Sequence, residues 1–188
     1  MSGTQAPSAP ATGRRQITYE IGYGKRRIPV YRTRAKPLRN VRPIPESPFT
    51  GRDNELFAVE VDVEVIGGDF LAAYTHGDNR NVVATDSMKN FVLRQAAEYD
   101  GATLEGFLDF VGRGLLGTYP QMPHLRLTGR ELRFDPAVVP SDDGFAPSST
   151  LFDRIDADAT TAVLELVARD NGPAVTDHRC GRTGLRLL

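Results

Sequence analysis

The residue pattern predicts an α+β fold, an antiparallel β-sheet with two helices packed on one face, in the order β-β-α-α-β-β. Three observations carry this. Phe57, Val59, Val61, Val63 and Val65 alternate with Ala58, Glu60, Asp62 and Glu64, the period-two signature of a strand with one buried face. Two helical stripes then follow each other, Met88, Phe91, Val92, Ala96, Tyr99 and Leu104, Phe107, Leu108, Val111, Leu115. Strand-like runs return after them, separated by Gly and Pro turns. Strands flanking consecutive helices give a layered α+β arrangement rather than alternating βαβ units.

Residues 1–16, rich in Ser, Ala, Gly, Thr and Pro, are expected to form a disordered tail, and residues 17–188 a single folded unit. Ile17, Tyr19, Ile21 and Tyr23 alternate with polar residues as a first strand, interrupted at Gly24-Lys25 and resuming from Ile28 to Arg34. Residues 36–55 hold Pro37, Pro43, Pro45 and Pro48, which excludes an interior strand and predicts a long hairpin loop. Arg26, Arg27, Arg32, Arg34, Lys36, Arg39 and Arg42 make this region basic, but without interleaved aromatics a solvated loop is favoured over a nucleic-acid surface.

The acidic residues on the second strand are expected to keep an exposed face soluble. Gly67-Gly68-Asp69 interrupts it like a bulge or turn before Phe70 to Thr75. Asp100-Gly101 is a turn and Thr103 a helix N-cap, and Gly112, Gly114 and Gly117 are expected to weaken that helix's end. His124–Phe134 reads as strand turning at Gly129, residues 135–158 as loop, Thr160–Arg169 as strand, and Val175–Leu188 as a last strand.

Composition is that of an ordinary globular protein, with 40% hydrophobic and 25% charged residues. A formal net charge of −1 gives no electrostatic reason to bind nucleic acid or a membrane. The single Cys180 excludes an intramolecular disulfide, no run is apolar enough to span a bilayer, and residues 1–16 lack the apolar core of a leader, so the cytoplasm is the expected location.

Residues 78–90, Asp-Asn-Arg-Asn-Val-Val-Ala-Thr-Asp-Ser-Met-Lys-Asn, join a polar turn to a helix start. Thr85, Asp86 or Ser87 could cap that helix through a side-chain oxygen; alternatively the helix N-terminus, with its free N–H groups, suits a small anion. Lys25 follows a strand and a glycine, and if partly buried it becomes usable as a proton acceptor, since desolvation disfavours an ammonium. For metals there are three histidines and one cysteine; His178-x-Cys180 is a possible ligand pair, but a zinc site needs three or four protein ligands, so no metal is expected. Asp177-His178 has no serine elbow beside it, and no phosphate-binding glycine loop is present.

Tyr23-Gly24-Lys25, together with Gly77-Asp78-Asn79 and Val83-Ala84-Thr85-Asp86-Ser87-Met88-Lys89-Asn90, resembles urate oxidase (uricase), over nearly the whole chain from about Ile17. The resemblance implies the tunnelling fold (T-fold), whose units occur in tandem pairs and form rings. It implies oxidation of urate by O2 to 5-hydroxyisourate and H2O2 without a cofactor. Lys25 and Thr85 are then catalytic members of a Lys–Thr–His proton relay, and Thr85 and Asp86 contact urate or the oxygen site. In the family a second unit supplies the stacking aromatic, the clamping arginine and glutamine, an asparagine and the relay histidine. None has a position here, because the chain stops at Gly184-Leu185-Arg186-Leu187-Leu188, which is similar to a stretch near the middle of a urate oxidase. Half of an active site is therefore expected, completed in a homo-oligomer or by a complementary chain. The alternatives are a non-catalytic assembly subunit or another purine- or pterin-binding T-fold protein.

Overall fold

The computed structural model describes residues 20–54, 56–67, 70–154 and 158–184. The expected tail, the start of the first strand at Ile17 and the final Leu185–Leu188 lie outside the described residues. The elements are β1 (Gly22–Thr33), β2 (Leu56–Ile66), α1 (Leu71–His76), α2 (Thr85–Glu98), α3 (Leu104–Thr118), β3 (His124–Glu131), β4 (Phe134–Ser141), β5 (Gly144–Arg154), β6 (Ala159–Val167) and β7 (Ala174–Thr183). The main sheet is antiparallel in the order β1-β2-β3-β6-β7, and β4 and β5 pair as a separate hairpin. This is an α+β T-fold, with α2 and α3 on one face.

The alternating valines of β2 place Val59, Val61, Val63 and Val65 on that face, where they are sealed beneath Met88, Phe91 and Val92 of α2 and Phe107, Leu108, Val111 and Leu115 of α3. Each such side chain contributes about 1.5–3 kcal/mol on burial. The core thus holds both helices to the sheet, with the beginning of α2 beside the beginning of β1.

Several expectations need correction. The interruption at Gly24-Lys25 is no break: β1 runs through as one strand, with a register shift between Lys25 (opposite Val63) and Ile28 (opposite Val61). Arg26 and Arg27 stand opposite the single Asp62, a β-bulge that moves the inward positions from odd to even numbers. Arg27 takes φ 56° there, and its N–H donates to Asp62 Oδ1 at 2.7 Å.

Nor does β3 turn at Gly129, which stays in register opposite Val61 and Ala162. A Cβ at Gly129 would press into Leu104 and Leu108 of α3, so the residue is small to let that helix lie close. The glycines of α3 do not end it early, because Gly112 packs onto Leu127 and Leu166 and the helix reaches Thr118. Residues 135–158, expected as loop, contain most of the β4–β5 hairpin, whose prolines are tolerated in a ribbon exposed at both edges. A short helix, α1, fills the segment after Phe70.

The segment after β1 is tied across by Leu38 and Arg52, with Arg39 paired to Asp53 and Lys36 reaching Asp100. Much of the basic cluster is thus committed to carboxylates and carbonyls. The acidic residues of β2 are also partnered. On the helix-free face Arg126 donates to Glu64 (3.1 Å) and Glu165 (2.8 Å), and His124 lies 3.1 Å from Glu165. Arg126 in the first place, and His124 to a lesser extent, hold the Glu165 carboxyl below the usual carboxylate range.

Candidate active site

Tyr23-Gly24-Lys25 lies on β1, an edge strand of the sheet, and each residue has a distinct task. Tyr23 points inward, its ring edge-on to Phe70 with centroids 4.8 Å apart. Its hydroxyl oxygen accepts the Val83 N–H at 2.9 Å, which anchors the approach to α2; burial pushes its phenol upward. Gly24 passes so close to β2 that a Cβ would run into the Val63 carbonyl. Gly24→Ala is therefore expected to destabilise the chain by about 1–3 kcal/mol through overpacking, read as a lower Tm. An unchanged Tm would show that β1 can move away at no cost.

Lys25 shares the helix-covered face with Tyr23, two residues on, and emerges at the N-terminus of α2. Its Nζ donates to Asp86 Oδ1 at 3.0 Å. The lysine side chain is 35% exposed and the carboxylate 83%, so this is a half-open ion pair of small energetic weight that fixes position. Hydrogen bonding to Lys25 and the charge of its ammonium hold the Asp86 carboxyl below its ordinary range. At the other end of β1, Arg32 donates to the carbonyls of Ala96 and Tyr99, where cations are favoured by the helix dipole. One strand thus holds α2 at both ends.

The cap reading of Thr85, Asp86 and Ser87 is not what the structure shows. The N-cap is Ala84, with no side-chain cap bond, and Thr85 and Asp86 are the first two helical residues. No carbonyl within the helix can serve their N–H groups. Thr85 is half-buried, and among the described residues its hydroxyl makes no hydrogen bond. An uncapped helix start beside a lysine is a place for an anion. The structure therefore brings Lys25 to Asp86, the residue after Thr85, on a strand that lies at the sheet edge among the described residues. The sequence placed Tyr23 in the strand alternation and in the Tyr23-Gly24-Lys25 motif, but gave no sign that its hydroxyl anchors Val83.

His178 and Cys180 fall at the opposite edge, on β7, with Nε2 and Sγ 3.2 Å apart.

The uricase family model matches residues 67–161, a stretch that includes Thr85 and Asp86. The chain is 51% identical over 170 residues to a uricase of Haloferax volcanii, covering 89% of this chain and 55% of that protein. To the uric acid degradation bifunctional protein PucL of Bacillus subtilis it is 40% identical over 176 residues, covering 94% of this chain and 36% of the relative. In structure it is similar to the crystal structure of urate oxidase from Bacillus sp. TB-90, with a TM-score of 0.81 and 40% identity, covering 89% of this chain and 56% of that one. The chain spans about half the length of the uricases it matches.

Proposed function

The chain belongs to the uricase family, and on that premise we propose that it forms one wall of an active site that oxidises urate with O2, without a cofactor. The reaction is urate + O2 + H2O → 5-hydroxyisourate + H2O2; urate gives up two electrons, and both atoms of O2 leave as peroxide.

The observation that carries the reading is the Lys25–Asp86 contact beside the uncapped start of α2. Urate is a planar anion, and the N–H groups of Thr85 and Asp86 with the partial positive charge of the helix end favour anionic oxygen or nitrogen. The Thr85 hydroxyl can accept a proton from a bound molecule while passing its own to Lys25 when that side chain is the neutral amine, so one hydroxyl serves as donor and acceptor in a relay. Asp86 holds the lysine at the first turn of the helix that Thr85 opens. The position at the open edge of β1 supports completion of the site by another T-fold unit, whether in a second copy or a complementary chain, since an unpaired strand edge is where a further sheet docks.

Thr85→Val tests the relay. In an assembly that turns urate over, the variant is expected to lose about 10²–10⁴-fold in rate. Its Tm should hardly move, because Ala84 and not Thr85 occupies the cap position. A lowered Tm with unchanged turnover per folded protein would make Thr85 purely structural. Binding of a purine analogue separates an active-site wall from a non-catalytic assembly subunit, for which no analogue affinity is expected.

A further inference from the structure

We propose that Glu105, His178 and Cys180 form a binding site for a zinc-class divalent metal ion that ties the edge strand β7 to the first turn of α3. His178 lies opposite Leu164 and Cys180 opposite Ala162, so both project from the helix-covered face, two residues apart on one strand. Glu105 descends from α3, whose start is fixed by Thr103 accepting the Gly106 N–H. One ligand atom from each of the three lies within 4.8 Å of the others. With metal–ligand bonds of about 2.0–2.3 Å, neighbouring donors in a tetrahedral site stand roughly 3.3–3.8 Å apart. The His178–Cys180 pair is already at about that spacing, at 3.2 Å, and Glu105 closes the remainder by a side-chain rotation.

The donor set determines which ion fits. Thiolate and imidazole favour zinc over magnesium or calcium, and one thiolate plus one carboxylate neutralise a dication. Neither Glu105 nor His178 forms a salt bridge among the described residues. A thiol that ligates the ion gives up its proton on binding. His178 and Cys180 are exposed, which leaves a fourth position for water. The sequence alone offered only His178-x-Cys180; the fold adds the third ligand from 73 residues upstream of His178. This site lies at the sheet edge opposite Lys25 and takes no part in the urate chemistry proposed above.

Cobalt(II) titration of the full chain tests this without any variant, since a thiolate ligand gives a sulfur-to-cobalt charge-transfer band in the near ultraviolet. One equivalent with that band is expected, displaced by zinc. Zinc at a hundred-fold excess over its Kd should raise Tm by about 5–10 °C. Cys180→Ser should abolish the band, and His178→Ala and Glu105→Gln should each weaken zinc binding by at least about tenfold. Absence of the charge-transfer band in the parent chain overturns the proposal. So does zinc affinity unchanged by Cys180→Ser and His178→Ala, which would place the ion elsewhere.

Discussion

Expressed by itself, the 188-residue chain is expected to associate and yet to leave urate almost untouched. β1 and β7 both present unpaired strand edges among the described residues, so partners are needed. Lys25, Thr85 and Asp86 give a purine one wall to touch. The groups that the family likeness assigns to a second unit, a stacking aromatic, a clamping arginine and a relay histidine, have no counterpart in these 188 residues. Orientation by such groups accounts for much of the rate, since effective molarities of about 10⁵–10⁸ M depend on holding reactants in register. Sizing by light scattering, with urate absorbance and peroxide followed in parallel, measures both halves of this expectation. Adding a chain that carries a second T-fold unit should raise turnover from background. Robust oxidation by the 188-residue chain alone would refute the half-site argument and require another group of these residues to complete the relay.

Lys25→Met, introduced into an active assembly, is expected to lower turnover by about 10²–10⁴-fold with little loss of stability. The side chain is one-third exposed and Asp86, its charged partner among the described residues, lies largely in solvent, so the deleted ion pair carries little stability. Methionine keeps an unbranched side chain without the ammonium. Because Asp86 remains, the substitution separates the ammonium from the carboxylate that positions it. Activity within a few-fold of the parent would remove Lys25 from the mechanism.

What the sequence disclosed follows from how local each signal is. The β2 alternation and the stripes of α2 and α3 are set by burial on one face, so they were legible residue by residue. The Lys25–Thr85–Asp86 grouping rested on family likeness, because 60 residues separate Lys25 from Thr85 and nothing in either segment shows their meeting. The bulge at Arg27 was hidden for a different reason: it shifts the period by one, which reads as a break when pairing is unknown. The β4–β5 hairpin was lost among prolines and glycines that normally mark loops. Glu105 gave no signal at all, since one glutamate in a helix's first turn is ordinary.

The ladder of charges across the helix-free face also limits the geometry of assembly. Glu64, Arg126, Glu165, Arg179 and Asp177 form a connected net across four strands, with Arg179 joined to Asp177 at 2.9 Å. Stacking an apolar layer on that net would strip hydration from several ions at once, a penalty that their mutual attraction repays only in part. That face is therefore best left wetted, and the opposite one is already occupied by α2 and α3. An assembly of copies would therefore run sideways, strand beside strand, along a single direction. The curvature of the resulting ribbon is then inherited from sheet twist, and the number of units needed for closure becomes a property of backbone geometry more than of side-chain matching.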